Sequence, residues 1–446
     1  MNHEAHEEHE GREDYKMKRF FKWLGIVIAV FVVTIIIYMR IAGRDIAPSD
    51  FSDLIIEYKN IPAKDNAFTY LNFSYKDLYY PSEDNRKKYN DLEGWIIWDE
   101  QLANEVIEKN KSLFERLDRA IVCKSLHVPR LRDTTDIFTY SAAWRNFARL
   151  NSLYSRYLQK TGKEKEAFEQ AIKIIHFGYQ VQDSGGGVMH YLVGTAIKSI
   201  GDTAVRRLLA ETSLSASELK PYIEKVSNYE TNIDGLVNSL KEDYRLQCNT
   251  FDGLVSGKLS APGTKPSKPG YYFKINETKA LLAVFFRVAI QNAKADFSNQ
   301  KDFEAIPEYI HSQRSFILSP NKGGQQIVLI IVPAIYLTVN KKFFSQMESR
   351  ATQIMIALKC YKTDNGDLPE SLDQLVPNYL KKIPEDPYDG KPMKYSKEKR
   401  IVYSVGEDQK DTGGPNIEEW DVNPEMKDRP GRSLLQTGDP AFKIDF

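Results

Sequence analysis

The first hydrophobic feature of the chain is an uncharged run near its start. Residues 23–39, WLGIVIAVFVVTIIIYM, carry no charged side chain and are rich in Ile and Val. As an α-helix this run is roughly 25 Å long, and the apolar residues beside it extend it to about the thickness of a bilayer core. Trp23 and Tyr38 stand at its ends, where aromatic side chains favour the headgroup level. The pattern predicts a transmembrane helix over residues 20–41.

Positive charges flank this segment unequally. Arg40 and Arg44 follow it closely, whereas four basic residues precede it: Lys16, Lys18, Arg19 and Lys22. The positive-inside rule therefore places the N-terminus in the cytoplasm and everything after about residue 42 on the extracytoplasmic side. A cleaved signal peptide is the alternative, but the apolar run exceeds the usual length of about 7–15 residues. We expect an uncleaved signal-anchor with a single span.

Apolar residues in the middle of the chain recur at helical spacing. One stripe begins after Asp99, which is suited to cap a helix, and comprises Leu102, Val106, Leu113, Phe114 and Leu117. The same spacing predicts further helices over residues 136–160, 164–179, 190–211 and 217–246, with another that begins at Asn276. The middle of the chain is therefore expected to be a domain of packed helical hairpins.

The pattern changes towards the C-terminus. An apolar run over residues 327–339 is interrupted by Pro333, and an amphipathic helix follows over residues 347–361 until Asp364-Asn365-Gly366 breaks it. Pro369 begins a short helix, and KPMKY and RIVYSV then alternate around the polar turn SKEK, which indicates a β-hairpin. The sequence predicts a mainly α-helical protein with a small C-terminal α+β unit.

These patterns divide the chain into seven segments. They are a cytoplasmic tail (1–19), the transmembrane helix (20–41), an extracytoplasmic α-helical domain (50–255), a Gly/Pro-rich linker (256–275), a helical connector (276–326), the α+β domain (327–421) and a C-terminal extension (422–446).

The balance of charges and the spacing of cysteines exclude several classes of function. The chain has 446 residues with 61 Lys+Arg against 61 Asp+Glu, so no net field attracts nucleic acid, and we expect no nucleic-acid partner. Cys123, Cys248 and Cys360 are far apart and lack the spacing of a zinc or iron–sulfur site. A disulfide between Cys123 and Cys248 remains open at this stage.

Two clusters carry candidate chemistry. Trp95, Trp98, Tyr79 and Tyr80 lie near three carboxylates (Glu93, Asp99 and Glu100), a mixture that fits sugar stacking and glycoside cleavage, although aromatic residues at this density are usually core. Ser184-Gly185-Gly186-Gly187 followed by His190 has the residue types of an oxyanion loop with a base. Without a nucleophile-elbow motif it is better interpreted as a turn between helices.

The order of motifs near the C-terminus resembles the soluble C-terminal domain of the major pseudopilin of bacterial type II secretion systems. The matching motifs are Tyr361-x-x-Asp364-x-Gly366, a Pro-led short helix at Pro369, Ile383-Pro384-x-Asp386-Pro387, a tyrosine-bearing hairpin, Ser404-x-Gly406-x-Asp408, and Gly413-Gly414. With the preceding helix, the resemblance extends over residues 327–421. The whole arrangement also resembles large membrane-anchored proteins of the bacterial envelope, which implies the bacterial cytoplasmic membrane with the bulk in the periplasm.

In major pseudopilins the loop after the hairpin binds calcium. The resemblance implies Asp408 as a ligand and the Val405 carbonyl as a neighbour, with Asp411 as a further acidic group. Asn416 stands where the family has an aspartate, which keeps an oxygen ligand but removes a charge. The alternative is an acidic, solvated loop without an ion.

The chain also departs from the family. A pseudopilin carries a glutamate five residues into its transmembrane helix, and the N-terminal helix here has none. We expect a structural or protein-interaction role in the envelope with no catalytic residues. The alternatives are a carbohydrate-active hydrolase that uses the helical domain, and a true pseudopilus subunit.

Overall fold

The computed structural model describes residues 22–24, 26–35, 44–58, 61–136, 138–259, 273–301, 321–415, 431, 433–435 and 437–446. The chain divides into two compact units, which are described separately. The first comprises Met1–Asp50, Phe251–Leu282 and Glu304–Ile330; the second comprises Phe51–Thr250, Ala283–Phe303 and Ile331–Phe446.

The protein is mainly helical with a small antiparallel sheet, as the sequence predicts. The helices are α1 (Lys22–Ile35), α2 (Phe68–Leu71), α3 (Arg86–Glu93), α4 (Glu100–Ile121), α5 (Tyr140–Lys160), α6 (Glu164–Gln182), α7 (Val188–Glu211), α8 (Ala216–Leu219), α9 (Pro221–Ser227), α10 (Ile233–Val255), α11 (Ile275–Lys294) and α12 (Lys322–Asn365). The strands are β1 (Lys394–Ser396), β2 (Ile401–Tyr403), β3 (Ser433–Leu434) and β4 (Ala441–Lys443).

In the first unit, α1 exposes large apolar side chains along its length, including Trp23 and Phe31. The N-terminus of α11 is capped by Asp45, whose carboxylate accepts the backbone N–H groups of Asn276 at 2.7 Å and Glu277 at 3.1 Å. Asn276 was predicted to begin this helix, but the helix begins at Ile275. The capping carboxylate comes from a distant part of the chain, which local spacing cannot reveal.

One of the described helices is long and apolar enough to cross a membrane by length and composition. It is α12, and 44% of its most apolar window is buried inside the protein. Pro333, which interrupts the apolar run in the sequence, lies inside this one continuous helix.

Two large hydrophobic clusters of the second unit lie on either side of α6 and α7. Side chains of α4 and α5, together with Phe177 and Ile197, form one cluster. The opposite side of the α6–α7 pair packs against α9, the later turns of α12 and the sheet, with Phe168, Leu208 and Met355 among its buried residues. Residues of the segment 327–421 and of the helical segment therefore share one hydrophobic core.

The α6–α7 pair packs closely through glycines. A Cβ atom at Gly178 would lie 2.6 Å from the Gly194 carbonyl oxygen, and one at Gly194 would lie 2.5 Å from the Gly178 carbonyl oxygen. No side chain fits between these two backbones.

The predicted helix over residues 217–246 is wrong, since three helices occupy its place. Pro221 starts α9 immediately after α8, because proline lacks an N–H and fits the first turn. Asn232 then begins α10, and its side-chain oxygen accepts the Gly235 N–H at 2.7 Å.

The predicted break at Asp364-Asn365-Gly366 is confirmed, as α12 ends at Asn365 and Gly366 has φ +87°. The predicted hairpin is also confirmed, with Lys394 opposite Tyr403 in an antiparallel pair. The strand order is β1-β2-β4-β3. Strands β3 and β4 come from the segment that the sequence analysis treated as an extension.

Candidate functional site

Two of the C-terminal sequence motifs meet at Asp386. This buried carboxylate accepts the Ser404 hydroxyl at 2.9 Å on one oxygen and the Val405 N–H at 2.8 Å on the other. Burial raises the pKa of Asp386, and the hydrogen bonds to Tyr388, Val405 and Ser404 lower it. Asp386 therefore links the Ile-Pro-x-Asp-Pro motif to the Ser-x-Gly-x-Asp turn.

The predicted calcium residues occupy the loop after β2. Asp408 is exposed and accepts the Lys410 N–H at 3.1 Å, while Val405 is buried. Asp411 is already engaged, because it accepts the Tyr403 hydroxyl at 3.2 Å and lies 3.4 Å from the Lys394 ammonium group. Asn416 lies outside the described residues.

A carboxylate that the sequence analysis missed organises the same loop. One oxygen of buried Asp439 accepts the Thr412 N–H at 2.9 Å, the Thr412 hydroxyl at 2.5 Å and the Gly414 N–H at 2.8 Å. Its other oxygen is buried without a hydrogen-bond partner among the described groups. Asp439 therefore joins Thr412 to Gly414 through hydrogen bonds.

Within the ranges that the structure describes, no three His, Cys, Asp or Glu side chains are grouped to hold a metal ion. Calcium is usually surrounded by six to eight oxygens. Calcium binding at Asp408 stays a prediction from the resemblance.

The aromatic cluster near Glu93 is part of the fold. Trp95 is 3% exposed, and the guanidinium carbon of Arg156 lies 5.3 Å from its ring centre and 5.4 Å from that of Trp98. Asp99 caps α4 as predicted, with its carboxylate accepting the Leu102 N–H at 3.0 Å. A sugar ring cannot reach Trp95, so no observation favours the hydrolase that stacks a sugar on this residue.

The Ser184–Gly187 segment is a turn between α6 and α7. His190 is fully buried, with Nδ1 2.6 Å from the Gly186 carbonyl oxygen and Nε2 3.1 Å from the Tyr140 hydroxyl. The Ser184 hydroxyl is buried and has no partner in the described part of the chain. Both nitrogens of His190 are thus used within the fold, and burial lowers its pKa to about 4.

None of the three cysteines forms a disulfide within the described structure, and Cys360 is buried. The bridge between Cys123 and Cys248 that the sequence left open is not formed.

A buried charge network lies between α7 and α12. Its four members are almost fully inaccessible to solvent: Lys198, Asp202, Arg206 and Glu348. Arg206 lies 3.5 Å from a Glu348 oxygen and donates to the Thr352 hydroxyl at 2.8 Å. Burial raises the pKa of Asp202 and lowers that of Lys198, because each charged form is removed from water.

The sequence analysis missed this network, although a signal was present. Lys198, Asp202 and Arg206 are spaced by four, so they share one helical face. Their burial depends on the presence of α12 opposite them.

A concave surface of the second unit lies between α8–α9 and the segment 377–385. It has a volume of about 780 Å³ and is lined by both apolar and charged side chains. Glu230 and Arg350 pair at 2.9 Å in its lining, and Arg350 also donates to the Glu385 carbonyl oxygen at 2.8 Å. We call this surface the α9 groove.

Comparisons with known protein families, with curated proteins and with solved structures find no match to this chain. The α9 groove and the loop after β2 are therefore judged on their geometry alone.

Proposed function

We propose that this chain is a single-pass membrane protein of the bacterial envelope with a structural or protein-interaction role. Its N-terminus is cytoplasmic, its bulk is periplasmic, and the C-terminal unit is a pseudopilin-like module. The anchor is supported by the composition of residues 20–41 and by the apolar side chains that α1 exposes.

The main observation that supports a structural role is the packing of α12, the helix of the pseudopilin-like module. From Met347 to Cys360, α12 buries nearly every apolar side chain against the shared core of the second unit. A helix that is covered within its own chain has little surface left for stacking against other copies in a filament. This packing favours a fixed module within a larger scaffold over a pseudopilus subunit.

The α9 groove is the surface that we assign to a protein partner. Its lining combines the apolar side chains of Ile223, Tyr379 and Leu380 with charges of both signs, including Glu224 and Lys381. Apolar centres with mixed polar rims are typical of protein interfaces. The partner is therefore expected to insert a short segment with apolar side chains flanked by charges.

Topology is tested with reporter fusions in a bacterial host. A phosphatase reporter joined after Asp50 is expected to be active in the periplasm, and a tag placed before residue 19 is expected to remain on the full-length membrane protein. An inactive reporter, or loss of the tag, would contradict the anchored arrangement.

The partner site is tested by site-specific photo-crosslinking in native membranes. A photoreactive residue at exposed Lys381 is expected to give a discrete adduct, and one at exposed Lys109 on α4 is expected to give none. The charge reversal Glu224→Lys should weaken the Lys381 adduct, whereas Glu108→Lys, outside the groove, should leave it unchanged. Equal adducts in all four proteins would overturn the assignment of the groove.

A further inference from the structure

A polar cleft lies between α3, α5 and α7, away from the α9 groove. It consists of two adjoining cavities of about 230 Å³ and 260 Å³, and both are lined by Glu93 and Arg149. Because Glu93 and Arg149 belong to both linings, the two cavities lie next to each other. We call it the Glu93 cleft.

The smaller cavity is rich in groups that attract an anion. Arg149 and Arg207 line it together with the hydroxyls of Ser152, Ser199 and Thr203. Arg149 donates to the neutral Asn146 side chain at 3.0 Å and forms no ion pair with any residue in the described ranges. The guanidinium group of Arg149 and these hydroxyls provide donors that a carboxylate or phosphate group requires, and Arg207 adds a second positive charge to the lining.

The larger cavity is lined by aromatic rings. Tyr75 and Tyr80 stack with their ring centres 4.9 Å apart, and Tyr89 lies edge-on to Tyr80 at 5.8 Å. Tyrosines combine a flat apolar face with a polar hydroxyl, which suits contact with a sugar ring.

Glu93 lies where the two cavities meet. Its carboxylate accepts the Tyr89 hydroxyl at 3.0 Å. Burial raises the pKa of Glu93, while the Tyr89 hydrogen bond and the charges of Arg149 and Arg207 lower it. A carboxylate between the two cavities is placed to accept hydrogen bonds from sugar hydroxyls.

The turn that positions Glu93 is held by the core. Helix α3 ends at Glu93, and Trp95 follows with φ +65°, a left-handed conformation that a bulky residue rarely adopts. The buried indole of Trp95 lies 5.6 Å from the Arg207 guanidinium. Trp95 thus packs in the core beside Arg207 and is not accessible for stacking on a ligand.

We propose that the Glu93 cleft binds an acidic sugar, with its carboxylate or phosphate group between Arg149 and Arg207 and its ring against Tyr75 and Tyr80. The site is separate from the α9 groove, and its occupancy does not rest on the proposed partner role. A sugar carboxylate and a sugar phosphate share this chemistry, and the experiment below distinguishes them.

The test is calorimetric titration of the full-length protein in detergent with D-glucuronate, glucose 6-phosphate, glucose, and inorganic phosphate with acetate. Binding of glucuronate or of glucose 6-phosphate is expected, with glucose and the simple anions at least tenfold weaker. The tighter of the two acidic sugars identifies the anionic group. Absence of binding by both, or equal binding of the simple anions, would overturn the proposal.

Variants separate the two lobes of the cleft. Arg149→Gln is expected to weaken the acidic sugar at least tenfold, while Arg145→Gln, an exposed arginine one turn away on α5, should leave binding unchanged. Tyr75→Ala should weaken the sugar without affecting the weak binding of phosphate. Thermal unfolding of each variant checks that it folds. Equal weakening by Arg149→Gln and Arg145→Gln would show a general charge effect and overturn the site.

Discussion

Two faces of α7 are packed in opposite ways. Towards α6 the contact is made by Gly178 and Gly194, whose backbones approach too closely for any side chain. Towards α12 the same helix presents Lys198, Asp202 and Arg206, which meet charged and hydroxyl groups in the interior.

The two faces contribute to the fold in different ways. Close apolar packing is favourable wherever two smooth surfaces fit, because dispersion contacts add over many atoms. Buried charges cost desolvation energy, and they are satisfied only when each meets its partner. The glycine contact therefore adds dispersion energy, whereas the charged groups are satisfied only where α12 places Glu348 and Thr352 beside Arg206.

The largest effect is expected from breaking the charge network. Arg206→Met leaves Glu348 buried without its cation, and we expect a loss of about 3–5 kcal/mol in the free energy of unfolding. Chemical denaturation followed by tryptophan fluorescence measures this loss. Arg145→Met, on the exposed side of α5, is the control and should cost less than about 0.5 kcal/mol.

A double variant tests the coupling of the two charges. Arg206→Met with Glu348→Leu removes both charges, so it should be less destabilised than the sum of the single changes. If the two losses simply add, the charges act independently and the network interpretation fails.

A slightly smaller effect is expected at the glycine contact. Gly194→Ala places a methyl group 2.5 Å from the Gly178 carbonyl oxygen, so the two helices must separate. We expect a loss of about 2–3 kcal/mol, measured by the same denaturation experiment. Ala142→Ser on the exposed side of α5 also adds one atom and should be nearly neutral. A neutral Gly194→Ala would show that the α6–α7 contact is not close.

Acid is expected to lower the stability of the folded protein through His190, the buried histidine of α7. Unfolded His190 binds a proton near pH 6.5, whereas burial lowers the folded pKa to about 4. Between these values the unfolded state holds more protons, so stability falls as the pH falls, by about 2 kcal/mol from pH 6.5 to 5.

The raised pKa of Asp202 acts in the opposite direction, because its folded carboxyl keeps a proton that the unfolded one loses as the pH rises. The two contributions are separated by comparing the wild-type protein with His190→Gln across this pH range. The variant should lose stability less steeply in acid. Identical slopes would mean that His190 is already protonated in the folded state.

The smallest effect is expected from calcium. Asp411 is paired with Lys394, and Asp439 already joins Thr412 to Gly414, so an added cation gains little in this loop. We expect the same thermal midpoint with millimolar calcium and with a chelator. A calcium-dependent rise that Asp408→Asn removes would instead establish the ion site that the pseudopilin resemblance implies.

Local patterns predicted the candidate sites only in part. Asp408 was placed correctly in the loop after β2, but Asp439, which organises that loop, comes from the distant β3–β4 connection. Glu93 and Tyr80 were noticed together, whereas Arg149 and Arg207 belong to helices that lie far along the chain. The spacing of neighbouring residues in the sequence does not show which residues of separate helices come together.

The sequence by itself determined helices α4 to α7, the end of α12 before Gly366 and the β1–β2 hairpin. Each of these depends on periodicity, capping or turn chemistry among near neighbours. Only the tertiary structure decided that α12 covers the charged face of α7, that β4 joins the sheet beside β2, and that the Glu93 cleft opens between three helices. These features depend on which surfaces come into contact. The energetic cost of a buried charge and the fit of a glycine are both set by burial, and a residue becomes buried only when those surfaces pack together.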